Sequence, residues 1–148
     1  MDEDASPPAG FEPLFRSSPF SETVGPFFYR KDADGSFVVA VRILPKHANA
    51  RGSAHGGLLL TLLDIALGYR AAFSQEPPAA LTTTSLSADF VGSPKVGDWV
   101  EAHVDVQKVG SRLAFANAFL VVNGERLVRA NAVFSRGSGP LPQPKRSS

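Results

Sequence analysis

At 148 residues the chain is long enough for one domain with a substantial core. Hydrophobic residues make up 43% and charged residues 20%, an ordinary composition for a soluble fold, and a net charge of +1 gives no electrostatic reason to expect nucleic acid or an anionic membrane as partner. Cysteine is absent, which excludes disulfides and thiolate metal sites and makes the cytoplasm the expected compartment.

Residues 1–10 are acidic and rich in Pro and Ala, and are expected to be disordered. The start, Met1-Asp2-Glu3-Asp4, has no apolar run behind it and does not read as a secretory signal. Phenylalanines then recur at 11, 15, 20, 27 and 28. Phe11 to Arg16 is expected to form a short helical turn, and the segment to pack as an arm rather than act as a lid, because aromatic side chains mostly supply buried area.

Phe27 to Lys31 and Phe37 to Ile43 read as two strands joined at Asp32-Ala33-Asp34-Gly35, where glycine tolerates the turn. Pro45 ends the second. A loop over 46–54 leads into one long helix from about Ala54 to Ser74, stopped by Pro77 and Pro78. Four further strands follow: Ala80 to Phe90, Trp99 to Val109, Leu113 to Val122 and Glu125 to Ser135, with Asn123-Gly124 as a hairpin turn. Residues 137–148 read as a flexible tail. The expected fold is therefore α+β: one domain over 11–136, in which a curved antiparallel sheet of about five or six strands wraps a single central helix. That helix is apolar nearly all round and is expected to be buried nearly all round. Its run Leu58 to Phe73 contains Asp64 and Arg70, and a membrane span wants about 20 uninterrupted apolar residues, so a core helix is the better reading. The two sheet edges need pairing or cover, and dimerisation through an edge strand supplies it.

Chemistry concentrates at the helix. His55-Gly56-Gly57 lies at its start, where backbone N–H groups lack intrahelical partners and glycine admits close approach of a ligand. Such donors can hold an oxyanion. Asp64 stands among Leu62, Leu63, Ile65 and Ala66, a costly place for a carboxylate unless it is paired or used. Asn49, ahead of the helix, offers a side-chain amide donor. His55 and Asp64 are nine residues apart, about 13–14 Å of rise and about half a turn out of phase. One helix cannot bring both to the same atom. A site using both must combine His55-Gly56 of one subunit with Asp64 of another, which points to an obligate dimer with two sites.

Asn49, His55-Gly56-Gly57 and Asp64 at these spacings, together with Ser85 to Pro94 after the helix and Val109 to Phe115 later, resemble the hotdog-fold acyl-CoA thioesterases of the phenylacetate (PaaI-like) type, within the 4-hydroxybenzoyl-CoA thioesterase superfamily. The resemblance covers about residues 19–136. It implies that the Gly56 N–H polarises a thioester carbonyl with help from Asn49, and that His55 positions the substrate or loop. Asp64 of the neighbouring subunit is implied to activate water or attack directly. Thr84 falls where relatives hold the water, with the Thr82-Thr83-Thr84-Ser85 run leaving the alignment open by one or two positions. Gly110, Ser111 and Arg112 fall where relatives contact the coenzyme A nucleotide, with Gly57 and Arg51 as further binding residues. The implied reaction is hydrolysis of an acyl-CoA to free acid and coenzyme A, by a homodimer or tetramer. No cofactor is implied beyond the coenzyme A of the substrate. His47 and His103 show no ligand spacing with His55, and no metal is expected. The competing readings are a non-catalytic acyl-CoA-binding module, against which Asp64 and the lack of a DNA-binding segment argue, and an acyl-chain dehydratase, whose His base paired with a carboxylate fits this pattern less well.

Overall fold

The structure, a computed structural model, describes residues 4–143. In chain order the elements are β1 (Glu12–Pro13), α1 (Pro19–Val24), β2 (Phe27–Lys31), β3 (Phe37–Arg42), a 3-10 turn (Pro45–His47), α2 (Gly56–Ala72), β4 (Ala79–Phe90), β5 (Trp99–Val109), β6 (Leu113–Val122) and β7 (Glu125–Pro140). The strands form one sheet in the order β1-β2-β3-β5-β6-β7-β4, antiparallel throughout. The sheet curls around α2, whose Leu59, Leu62, Leu63, Ala66 and Leu67 are fully buried against Val39, Val41, Val100, Leu120, Val128 and Phe134. Alanines at 102, 114, 116, 118, 130 and 132 line the inner face, and their small side chains let helix and strands approach closely.

β3 is buried on both faces, from Phe37 through Val41. Val39 and Val41 belong to the helix-side core. The other face is covered from the N-terminal side: Phe11 and Phe28 both pack on Trp99, with ring centroids 5.0 and 5.7 Å away. The arm crosses the β2 edge by pairing β1 with it and inserts Phe15 among Tyr29, Phe37, Tyr69 and Phe73.

Several boundaries differ from those the sequence suggests. Phe11 to Arg16 is not a helical turn; it contains β1, and the helical turn comes later, at Pro19–Val24, where Ser18 caps the helix and Pro19 suits its first position. Residues 4–10, expected to be disordered, are ordered as far as they are described: the Ser6 carbonyl accepts from Arg42 Nη2 at 3.1 Å; residues 1–3 lie outside the described residues. β7 runs to Pro140 rather than Ser135, because Ala79 of β4 pairs with Pro140 and Leu141 N–H donates to the Pro78 carbonyl. The tail expected from 137 therefore begins as strand; residues 144–148 lie outside the described residues. Finally, α2 is not buried all round. Leu60, Thr61, Asp64, Ile65, Gly68 and Tyr69 form a half-buried stripe at helical spacing.

Candidate active site

The loop before α2 is built by Asn49. Its side-chain carbonyl accepts from Arg51 N–H at 2.8 Å and Ser53 N–H at 3.2 Å. The turn closes with Gly52 at φ +79°, where only glycine sits without strain. With its oxygen committed, the Asn49 side chain keeps both amide hydrogens for donation. The loop is tied to the β4–β5 connection by Ala54 N–H to the Pro94 carbonyl at 2.7 Å. A second tie runs from His55 N–H to the His47 carbonyl at 2.8 Å.

His55 is the N-cap of α2, and its Nδ1 accepts from Gly57 N–H at 2.9 Å. The ring proton therefore resides on Nε2. The His55 carbonyl accepts from Leu58 N–H at 3.0 Å and from Leu59 N–H at 3.3 Å. The Leu59 bond is the first regular one of the helix; of the four donors that every helix leaves open at its start, those of His55, Gly57 and Leu58 are thus occupied, His55 N–H by the His47 carbonyl. The fourth, Gly56 N–H, has no hydrogen-bond partner among the described residues. Glycine at 57 suits the cap, since a Cβ there would crowd His55 Nδ1 at 3.2 Å. Gly56 is half-buried beneath the Phe90 ring, whose Cζ would stand 3.9 Å from an added Cβ.

Two turns further along, Asp64 is half-buried rather than enclosed. Thr83 Oγ1 donates to its Oδ1 at 2.6 Å, leaving Oδ2 unbonded among the described residues. Two clefts meet at Asp64, Ile65 and Thr83. One, of about 300 Å³, also touches Phe20, Leu60, Thr61 and Leu86. The other, of about 220 Å³, continues past Gly68, Tyr69 and Ala72 to Phe134, Leu81 and Leu141.

Thr84, the residue expected beside the acid, is turned away and pairs with Ser135 Oγ at 2.8 Å. A β-bulge between Thr83 and Ser85 is the reason. It places an extra residue on β4 and interrupts the alternation, so Leu81 and Thr83 face the helix on one side of it and Leu86 on the other. Gly110, Ser111 and Arg112 form the β5–β6 turn, held by Gly110 N–H to the Leu113 carbonyl and by Arg136, whose N–H donates to the Arg112 carbonyl at 2.7 Å. This turn stands at the Asp64 end of the sheet, because Leu113 and Thr82 flank Ser135 in register. Arg51 is exposed. The structure does not bring Gly56 and Asp64 of one chain together: eight residues of helix separate them by about 12 Å of rise.

His47 is a positioning residue that spacing did not single out. It is buried, its Nδ1 accepts from Leu44 N–H at 2.9 Å, and its Nε2 lies 2.6 Å from the Val24 carbonyl. It joins the end of α1 to the loop that carries Asn49 and His55. Thr83, inside the run whose alignment stayed open, lines both clefts at Asp64; Phe20 and Gly68 line one each and Phe90 covers Gly56, and no local sequence signal distinguishes these three. Among the described residues no group of three or more His, Asp or Glu side chains is placed to hold a metal ion, and no helix is long and apolar enough to cross a membrane.

The profile of the Thioesterase superfamily matches residues 51–128. The Pseudomonas aeruginosa protein named "Putative esterase PA0474" is 56% identical over 128 residues, covering 86% of this chain and 95% of that protein. Human acyl-coenzyme A thioesterase 13 is 27% identical over 101 residues, 68% of this chain and 71% of the human one. The structure of a variant of the phenylacetic acid degradation protein PaaI from Thermus thermophilus superposes with a TM-score of 0.67 at 28% identity, covering 80% of this chain and 99% of that one. Sequence profile, relatives and sheet order agree: the chain is a hotdog-fold enzyme belonging to the Thioesterase superfamily, a family of thioester hydrolases.

Proposed function

We propose that the protein hydrolyses acyl-CoA thioesters in two sites built across a homodimer, Gly56 acting from one subunit and Asp64 from the other. The observation that carries this reading is the position of the two half-sites on one unpaired edge. Among the described residues β4 pairs with β7 on one side only. Phe90, beside Gly56, stands at one end of this edge, and Thr83, bonded to Asp64, stands toward the other. An isologous contact turns one copy by a half-rotation against the other. Antiparallel pairing of two β4 edges, with the axis near Leu86 and Ser87, therefore sets the Phe90 end of one chain against the Thr83 end of its partner. Gly56 then meets Asp64 of the partner subunit, which one helix cannot achieve within itself. The same pairing covers the row of N–H and C=O groups that a 12-residue edge strand leaves open.

In this arrangement the thioester carbonyl oxygen accepts from Gly56 N–H, the uncommitted donor of the first turn, with the Asn49 amide as second donor. Negative charge that develops on that oxygen lies at the positive end of α2. Thr83 holds Oδ1 of the acid, so Oδ2 faces the reaction. It takes a proton from the attacking water, or itself attacks the carbonyl carbon to form an anhydride that water then opens. In the first route the proton on Oδ2 passes to sulfur as the C–S bond breaks; in the second coenzyme A leaves as the thiolate and takes its proton from the water that opens the anhydride; both release the free acid. His55 holds the helix start through its cap and presents Nε2–H outward. Ser111 and Arg112 contact the nucleotide end of coenzyme A. The thioester is itself reactive, and the protein supplies donors and a base without a prosthetic group. The acyl-coenzyme A substrate in the human relative's name supports the same class.

The test is free-thiol release from a panel of benzoyl-, phenylacetyl- and straight-chain acyl-CoAs. Hydrolysis with turnover is expected. Tight binding of the panel without thiol release would overturn the reading in favour of a non-catalytic acyl-CoA-binding module.

A further inference from the structure

Of the two clefts that meet at Asp64, one runs toward Leu60 and Leu86, the side on which the proposed partner half-site arrives. The other runs the opposite way along α2 and ends at Leu141. We propose that this second cleft receives the acyl chain, and that Gly68 in its floor and Leu141 at its end limit the substrate to uncharged acyl groups of about six to eight carbons. The inference rests on the thioesterase reading above.

Gly68 lies inside a 17-residue helix, where glycine is a poorer helix former than every residue but proline. Packing does not demand it: an added Cβ would meet Phe134 Cε1 at 3.5 Å and Cζ at 3.9 Å, ordinary contact distances. What the missing side chain provides is open space between Asp64 and Phe134. The far wall is fixed at several points. Leu141 N–H donates to the Pro78 carbonyl at 2.7 Å, and Arg16 Nη2 donates to the Pro142 carbonyl at 2.9 Å. Arg16 in turn lies over the Tyr69 ring, 5.8 Å from its centroid. The end of β7 is thus strapped across the cleft by the N-terminal arm. Beyond Asp64 and Thr83 at the mouth, the lining is apolar except for Tyr69 and bears no charge. A volume of about 220 Å³ holds several water-sized groups, the scale of a short to medium acyl chain.

The experiment is the chain-length profile of kcat/KM over straight-chain acyl-CoAs from butanoyl to dodecanoyl, for the wild type, Gly68→Val and Leu141→Ala. The wild type is expected to peak at hexanoyl or octanoyl. Gly68→Val is expected to lower the octanoyl-to-butanoyl ratio at least about tenfold, the scale of one misfitting methylene, and Leu141→Ala to raise the dodecanoyl-to-octanoyl ratio. Shifts in opposite directions cannot arise from general damage to the fold. If Gly68→Val does not fold by circular dichroism, Gly68→Ala is expected to shift the ratio in the same direction by less. A wild type that hydrolyses the series, with variants keeping its profile, overturns the inference alone. A wild type that releases thiol from benzoyl- or phenylacetyl-CoA but from none of the straight-chain series overturns this inference alone; one that releases thiol from neither class overturns the thioesterase reading and this inference with it.

Discussion

Thr83→Val tests which threonine serves the acid. The replacement keeps the branched shape and removes the hydroxyl that donates to Asp64 Oδ1 at 2.6 Å. A hydrogen bond to a charged group contributes about 1.5–3 kcal/mol; Thr83 is exposed in the single chain, so about 1–2 kcal/mol is the appropriate range. At 1.36 kcal/mol per tenfold, the expected loss in kcat is about 5- to 30-fold, with KM changing little because the bond orients the acid rather than the substrate. Thr84→Val is the control. Its hydroxyl pairs with Ser135 and the expected change is less than about threefold. Steady-state thiol release gives both parameters, and urea denaturation of each variant separates loss of the bond from loss of the fold. Equal losses at 83 and 84, or a loss at 84 alone, would refute the assignment of Thr83 and the bulge that underlies it.

The acid itself is expected to matter more: Asp64→Ala should lower turnover at least about 100-fold, as removal of a general base does, with the unfolding transition in urea retained; near wild-type turnover would remove Asp64 from the chemistry. The chain has no native cysteine, so Ser87→Cys gives a single thiol near the proposed two-fold axis; a short bifunctional thiol cross-linker is expected to join two chains at that position and not in a Ser111→Cys variant. A fully active monomer in sedimentation would refute the pairing. His47→Ala leaves the Leu44 N–H and the Val24 carbonyl without their partners, and a stability loss of about 2–4 kcal/mol is expected from the urea midpoint.

The elements whose side chains alternate cleanly were legible in sequence. Trp99 to Val109 and Leu113 to Val122 lie where periodicity puts them, because each buries one face against the helix and exposes the other. Where tertiary contacts decide, sequence said less. Nothing in Arg136-Gly137-Ser138-Gly139-Pro140 marks a strand, yet pairing with the start of β4 makes it one. The run Thr82-Thr83-Thr84-Ser85 carries no apolar contrast, so neither the bulge nor the face of each hydroxyl could be read from it. His47 finds its partner 23 residues away on the arm, beyond the reach of any local pattern. Asn49, Gly56 and Asp64 were visible because their chemistry is unusual for their places: a side-chain amide before a helix, glycine at its first turn, a carboxylate in an apolar run. The spacing of Gly56 and Asp64 along α2 also keeps these two about 12 Å of rise apart in one chain.

The cap geometry explains why a backbone group is a fit donor for this chemistry. A helix start offers four N–H groups with diverging directions, and an oxyanion bound by several of them has no single preferred position. Here three of the four are taken, Leu58 N–H by the His55 carbonyl, Gly57 N–H by His55 Nδ1 and His55 N–H by the His47 carbonyl. The remaining Gly56 N–H is fixed by the helix itself, needs no side-chain ordering, and lies at the positive end of the dipole. On the proposed pairing it is completed only when a second β4 edge arrives with its own Asp64. Covering an exposed edge and assembling the acid with the donor would then be one event, so a separated monomer would lose activity together with the protection of its longest open strand.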